Sequence, residues 1–207
     1  MKALIIINGD LPDSKYIEPL LPQCERIICA DGGANRALQH GIRPHSIVGD
    51  FDSITDETRA AFSQCDFIHK PSQYATDFEK TLQYAIDEGV TSATILGISG
   101  ARFDHQLANL HFMEKFCHRI ELDFVDDSGR GFFVSQAYKF AGHIGQQVSL
   151  HALRRVEGIT TKGLKYPLIN ESLEWAVRDG QSNEIVANPV KITVKSGNLF
   201  VFVCHAF

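Results

Sequence analysis

HSIVGDFDSITDETRAAF, residues 45–62, runs from a short apolar stretch through an acidic loop into a segment with helical character. A β-run that ends in a polar loop and is followed by a helix is the repeating unit of an α/β fold. The same unit recurs on both sides of it. ALIIIN (3–8), RIICA (26–30), SIVGD (46–50), DFIHK (66–70), SATILG (92–97) and ELDFV (121–125) are each preceded or followed by a candidate helix. The alternation holds to about residue 126 and predicts a mostly parallel sheet covered by helices. Thr76-Asp77-Phe78-Glu79 has the form of a capping box, and Phe78, Leu82, Ala85 and Ile86 then share one face before Gly89, which predicts a helix over about 77–88. A second helix is expected over about 104–117, with Leu107, Leu110, Met113 and Phe116 on its apolar side.

After DDSGRG (126–131) the pattern changes to period two, as in QQVSLHAL (146–153), interrupted by Gly, Asn and Pro. This predicts an antiparallel β-domain, and the boundary divides the chain into 1–127 and 128–207. SGN (196–198), between VKITVK and LFVFV, reads as a hairpin turn. A β-domain of about 75 residues has a thin core by itself, so it is expected to pack on the first domain or on another chain.

The 207 residues, 44% of them hydrophobic, suffice for one compact unit or two small domains. Twenty Lys plus Arg against 25 Asp plus Glu give a net charge of −5, without the basic face expected for binding nucleic acid. Five cysteines, odd in number and without C-x-x-C, suggest neither a disulfide framework nor a zinc site, and fit a reducing, cytoplasmic setting. The N-terminal apolar run is broken by Asn8 and Asp10, too soon for a signal-peptide core or a membrane span.

In an open parallel sheet, ligands bind beyond the carboxyl ends of the strands. Each of the five strand-to-helix loops there carries an aspartate: GD (9–10), ADGGANRAL (30–38), GDFDS (49–53), PSQYATDFEK (71–80) and GISGARFDHQLANL (97–110). Gly32 and Gly33 either let backbone N–H groups approach an anion or simply make a tight turn. There is neither a Walker A loop nor a G-x-G-x-x-G fingerprint. On extended backbone Asp50 and Asp52 point the same way, with Cα atoms about 6–7 Å apart, and could reach one cation. Alternatively one caps a helix and the other is solvated. Asp31 and Asp77 lie in neighbouring loops, and four carboxylates without matching basic residues would repel unless a cation were bound. Arg102 could grip a phosphate bidentately or pair with Asp104 on the surface. His105 reads as a helix-surface or packing histidine.

The ordered set DGGANR, GDFDS, ATDFEKTL, GISGARFDHQLANL and TTKGLKYPLINESLEWAVRDGQSNE (160–184) resembles the thiamine pyrophosphokinase family. The resemblance implies an α/β ATP-binding domain, a C-terminal antiparallel β-sandwich, and a homodimer with active sites shared between chains. It also implies transfer of the pyrophosphoryl group of ATP, with Mg²⁺, to the hydroxyl of thiamine, with release of AMP. By the same resemblance Asp50, Asp52 and Asp77 are the Mg²⁺ carboxylates, with Asp31 beside them. Gly32, Gly33 and Asn35 face the ATP phosphates, Arg102 neutralises the transferred group and Asp104 approaches thiamine. Ser182 and Asn183 help hold the vitamin, and Asp77 or Asp104 is the candidate base. One departure stands out: where the bacterial pattern reads K-D-x-T-D, this chain has QYATD, so Gln73 and Tyr74 replace the Lys-Asp pair and Gln73 becomes a candidate ATP contact. Tyr166 and Trp175 could pack on a ligand, but aromatic residues of a β-sandwich are expected in the core. Two other functions fit the same motifs: a pyrophosphokinase acting on a pterin alcohol, and a silent sensor of nucleotide or thiamine diphosphate.

Overall fold

The computed structural model describes residues 1–100 and 102–205, and the chain divides into two compact units, Met1–Asp127 and Ser128–Phe207. In the first, the order is β1 (Lys2–Ile6), α1 (Ser14–Ile17), a 3-10 turn (Leu21–Gln23), β2 (Arg26–Ala30), α2 (Gly33–Gln39), β3 (Ser46–Gly49), α3 (Asp56–Ala61), β4 (Asp66–His69), α4 (Asp77–Asp87), β5 (Ser92–Leu96), α5 (Phe103–Phe116) and β6 (Glu121–Val125). The six strands are all parallel, in the order β6-β5-β1-β2-β3-β4.

β1 is central because its residues are apolar on both faces. Ala3 through Ile6 are completely buried, as expected for a strand covered by helices on both sides, and Leu4 lies beside Ile27 of β2 and Thr94 of β5. The chain winds outward from β1 through β2, β3 and β4, then returns to β5 on the other side of β1. The order therefore reverses at β1, which places a crevice at the carboxyl ends of the strands there.

α4 begins where the capping signal places it: Thr76 Oγ1 accepts the Glu79 N–H at 3.2 Å, and Gly89, at φ +82°, lies just past its end. Phe78, Leu82 and Ala85 are buried, and each of the two larger side chains contributes roughly 1.5–3 kcal/mol. α5 departs from expectation in its first half. Phe103 and Leu107 are exposed, and only Met113, Glu114 and Phe116 are buried, so Leu107 is not part of a packed face.

The second unit contains β7 (Gly129–Val134), β8 (Ala137–Phe140), β9 (Gln147–Ala152), β10 (Val156–Lys162), β11 (Glu171–Leu173), β12 (Gly180–Glu184), β13 (Val190–Thr193) and β14 (Leu199–Cys204). They form an antiparallel sandwich, β12-β9-β14-β7 on one side and β11-β10-β13-β8 on the other. Val148, Leu150, Ile159, Leu173, Ile192 and Val201 belong to its buried core. The expected hairpin at SGN does not form. β13 pairs with β8 and β10 while β14 pairs with β7 and β9, so the turn, with Gly197 at φ +89°, carries the chain from one sheet to the other. Alternation says which face of a strand is buried; it does not say whether the next strand lies beside it or across the core. Tyr166 and Trp175 are exposed rather than in the core. Ala206 and Phe207, the end of the tail read as β, lie outside the described residues. Among the described residues no helix is long and apolar enough to cross a membrane.

Candidate active site

The loops after β1, β2, β3, β4 and β5 surround a cavity of about 590 Å³ at the carboxyl edge of the sheet. Its lining includes Asp31, Gly32, Asp50, Asp52, Gln73, Asp77, Lys80, Arg102 and His105. This volume suits a ligand of nucleotide size.

After β2 the backbone turns sharply at Asp31, at φ +38°, and enters α2. A Cβ on Gly33 would come within 2.3 Å of the Ile6 carbonyl oxygen, so only glycine lets the first turn of α2 lie against the end of β1. Gly33 is therefore explained by helix-to-strand packing, whereas Gly32 lines the cavity.

The GDFDS loop is not extended. Phe51 sits at φ +69°, a conformation that costs a non-glycine residue about 1–3 kcal/mol. Its ring stacks on His69 at 5.5 Å and meets Phe67 edge-on at 5.4 Å, with the Arg59 guanidinium over it at 5.7 Å; these contacts hold the turn. The turn removes the shared direction expected of Asp50 and Asp52. Asp52 N–H donates back to Asp50 Oδ1 at 3.4 Å, and Asp52 Oδ1 accepts the Ser53 hydroxyl at 2.8 Å. The loop is fastened from α2: Asn35 Nδ2 donates to the Ser53 carbonyl at 2.8 Å, and Asn35 Oδ1 accepts from Thr55 N–H at 3.1 Å. Asn35 thus holds the acidic loop and is not part of the cavity lining.

Asp31, Asp50 and Asp77 each offer an oxygen, all within 4.8 Å of one another, while Asp52 is not part of this cluster. Asp31 is 2% exposed. Its Oδ2 accepts the Ser53 N–H at 3.1 Å, and its Oδ1 has no hydrogen-bond partner among the described residues. Burial pushes the Asp31 carboxyl above its ordinary range, partly opposed by the Ser53 N–H. Asp50 is held below the ordinary range, chiefly by the Gln73 amide, which donates to its Oδ2 at 2.8 Å. Gln73 thus contacts the cluster itself, and Tyr74 is fully exposed.

The expectation of unmatched carboxylates needs correction, because Lys80 lies among them. Its side chain is 7% exposed, with Nζ 2.9 Å from Asp77 Oδ1 and 3.9 Å from Asp50 Oδ2. The sequence signal was its place three residues after Asp77, one helical turn along. The orphaned buried oxygen of Asp31 beside two further carboxylates suits a hard divalent cation such as Mg²⁺, which takes oxygen ligands from few carboxylates.

Arg102 and Asp104 form a two-pronged ion pair, Nε to Oδ1 at 3.1 Å and Nη2 to Oδ2 at 2.7 Å, with side chains 76% and 61% exposed. The Arg102 guanidinium holds the Asp104 carboxyl below the usual range. Arg102 lines the cavity; Asp104 does not. In the second unit Ser182 is exposed on β12 at φ +57°. Asn183 is buried, donating its amide to the Tyr166 carbonyl at 2.7 Å and accepting from Tyr166 N–H at 3.0 Å, so it fixes the loop that carries Tyr166.

Two family profiles match the chain. The profile described as "Thiamin pyrophosphokinase, catalytic domain" matches residues 17–123, more than half of the chain, and "Thiamin pyrophosphokinase, vitamin B1 binding domain" matches 138–199. Thiamine pyrophosphokinase 1 of rice (Oryza sativa subsp. japonica) is 26% identical over 94% of this chain and 84% of its own length. Thiamin pyrophosphokinase 1 of Caenorhabditis elegans is 26% identical over 95% and 86%. The crystal structure of thiamine pyrophosphokinase from Bacillus subtilis covers both chains completely with a TM-score of 0.86 at 22% identity, a likeness of fold. With both profiles in chain order on these two units, the chain belongs to the thiamin pyrophosphokinase family.

Proposed function

We propose that this chain transfers the pyrophosphoryl group of ATP to the hydroxyl of thiamine, giving thiamine diphosphate and AMP. The observation that carries the reading is the convergence of Asp31, Asp50 and Asp77 in the cavity of the unit that matches the catalytic-domain profile. In this reading residues 1–127 bind ATP and a Mg²⁺ ion, and residues 128–207 supply thiamine contacts and dimerisation.

Asp31, Asp50 and Asp77 would hold Mg²⁺, with Asp52 at the cavity wall beside them. When bound, the ion supplies neutralisation of phosphate charge and Lewis acidity at a phosphoryl oxygen. The chain's own task is positioning and charge neutralisation, which carry most of phosphoryl-transfer catalysis. The thiamine hydroxyl oxygen forms a bond to the β-phosphorus while the bond from that phosphorus to the α,β-bridging oxygen breaks, and AMP departs with that oxygen. The hydroxyl proton passes to Asp77 or Asp104. Asp104, paired with Arg102 in the resting chain and released when Arg102 turns to the transferred group, is suited to accept a hydrogen bond from the hydroxyl and takes its proton only late. Arg102, exposed, is free to turn from Asp104 to the transferred group.

Ser182 and Asn183 serve the vitamin from the second unit of a partner chain in a homodimer, Asn183 by shaping the Tyr166 loop. Exposed Tyr166, Ile169, Trp175 and Val177 on the second unit, and separately Tyr74 and Phe103 on the first, are large apolar side chains whose exposure supports cover by a second copy. The five free thiols support a cytoplasmic setting.

Incubation with ATP, Mg²⁺ and thiamine tests the reading. AMP and thiamine diphosphate are expected in equal amounts. Product from a pterin alcohol in place of thiamine would move the substrate assignment, and tight ligand binding without AMP would make the chain a sensor.

A further inference from the structure

Lys80 is a cation enclosed within a carboxylate cluster, which is unusual for a lysine one turn into an ordinary helix. A surface pair at i,i+3 spacing is solvated and contributes little. Lys80 instead is 7% exposed on α4, which packs against β2 and β3, and its ammonium touches Asp77 and approaches Asp50. Those two carboxylates lie in one cluster with the buried Asp31, one oxygen of which is orphaned. Three carboxylates at this separation repel, and one ammonium cancels one of the three charges. The remaining two match a single divalent ion. Yet the carboxylate of Asp77, one of the three in the cluster, already has its Oδ1 engaged by Nζ at 2.9 Å.

We propose that Lys80 is the resident counter-cation of this cluster and a positioning residue. It holds Asp50 and Asp77 together in the cation-free chain and competes with a free divalent ion for Asp77. Tight cation entry then requires the nucleotide, whose phosphates can pair with the displaced ammonium. The inference rests on the cation site of the proposed function.

The test titrates Mn²⁺ alone, without nucleotide, into the unmutated chain, Lys80→Gln and Lys80→Arg, read by electron paramagnetic resonance. Removing a unit charge a few ångströms from the ion raises Mn²⁺ affinity about tenfold or more in Lys80→Gln, and Lys80→Arg stays near the unmutated value. The melting temperature of Lys80→Gln falls without cation and recovers with saturating Mn²⁺. Equal or weaker binding by Lys80→Gln, or a melting deficit that Mn²⁺ leaves unchanged, overturns the inference while leaving the cation site standing. Binding by none of the three overturns both. On the unmutated chain, independently of any folding defect, the ¹³C-ε resonance of Lys80 shifts when Mg²⁺ is added with a non-hydrolysable ATP analogue. No shift would also overturn the inference.

Discussion

Gln73 donates its side-chain amide to Asp50 Oδ2 at 2.8 Å, so a neutral residue from the loop after β4 rests on a carboxylate of the loop after β3. An additional carboxylate from the loop after β4 would add repulsion to a cluster that already holds three acids; Gln73 gives a donor instead. The bond keeps Asp50 ionised in the geometry the cluster needs.

Gln73→Ala removes the largest cause of the lowered Asp50 pKa, which then returns toward the ordinary carboxylate value. A carboxyl whose folded pKa is lowered stabilises the fold above its unfolded pKa, and this contribution is lost as pH falls through the folded value. The stability gap between the unmutated chain and Gln73→Ala is therefore expected at neutral pH and should close in acid, as pH falls below the ordinary carboxylate range and through the lowered Asp50 value. Melting temperatures from pH 7 downward check this. A gap that persists unchanged in acid would assign the loss to packing rather than to Asp50.

Asn35 is a neutral residue with a mechanical task. Its amide holds the Ser53 carbonyl and the Thr55 N–H, and so fixes the loop that aims Asp50. Asn35→Ala should cost about 1–3 kcal/mol of stability, two or three modest hydrogen bonds. It should also weaken cation binding without touching a ligand. Denaturant unfolding beside Mn²⁺ titration measures both, and an Asn35→Ala chain with unchanged cation affinity would show that the loop holds its shape unaided.

Asp50 and Asp52 look equivalent in GDFDS, and the turn at Phe51 separates them. Asp50→Asn should abolish detectable cation binding and AMP formation. Asp52→Asn removes a carboxylate outside the three-oxygen cluster and should cost less, about tenfold in cation affinity, of the order expected from loss of one nearby unit charge through solvent. Equal loss in the two variants would mean that the loop rearranges to bring Asp52 onto the ion.

The parallel sheet was legible because fully covered strands read as continuous apolar runs, and Ala3 to Ile6 could hardly be anything else. The edge that carries the loops follows from the alternation of strand and helix, which puts every strand-to-helix loop at the carboxyl ends of a parallel sheet. What period two could not tell was the partner of β14, since Leu199 and Val201 turn inward whether β13 lies beside them or across the core. Phe51 is hidden for a different reason: a bulky residue is not expected in the left-handed region, so GDFDS by itself suggests extended backbone. Lys80 was visible as a residue but not as a cluster member. Its neighbour Asp50 is 30 positions away, and only the packing of α4 over β3 brings the two together.

Asp31 combines a stability cost with a functional gain, and the two should come apart on substitution. Its carboxylate is 2% exposed, with one oxygen on the Ser53 N–H and the other unpartnered, and burial raises its pKa. Ionisation of Asp31 therefore costs more in the folded chain than in the unfolded one, and a group of this sign lowers stability as pH rises through its folded value. Asp31→Asn keeps the acceptor for Ser53, replaces the orphaned oxygen with an amide that can donate to Asp50 or Asp77, and removes a buried charge. The cation-free variant should be as stable as the unmutated chain or more so, by about 1 kcal/mol, the scale of one hydrogen bond gained. It should at the same time lose the stabilisation that Mg²⁺ gives, and turnover should fall by about a hundredfold or more, as when a preorganised electrostatic partner is removed. Thermal melts with and without Mg²⁺, together with AMP release, measure all three. A variant that is destabilised without cation yet still gains from Mg²⁺ would show that Asp31 supports the turn into α2 and that the ion is held by Asp50 and Asp77 without it.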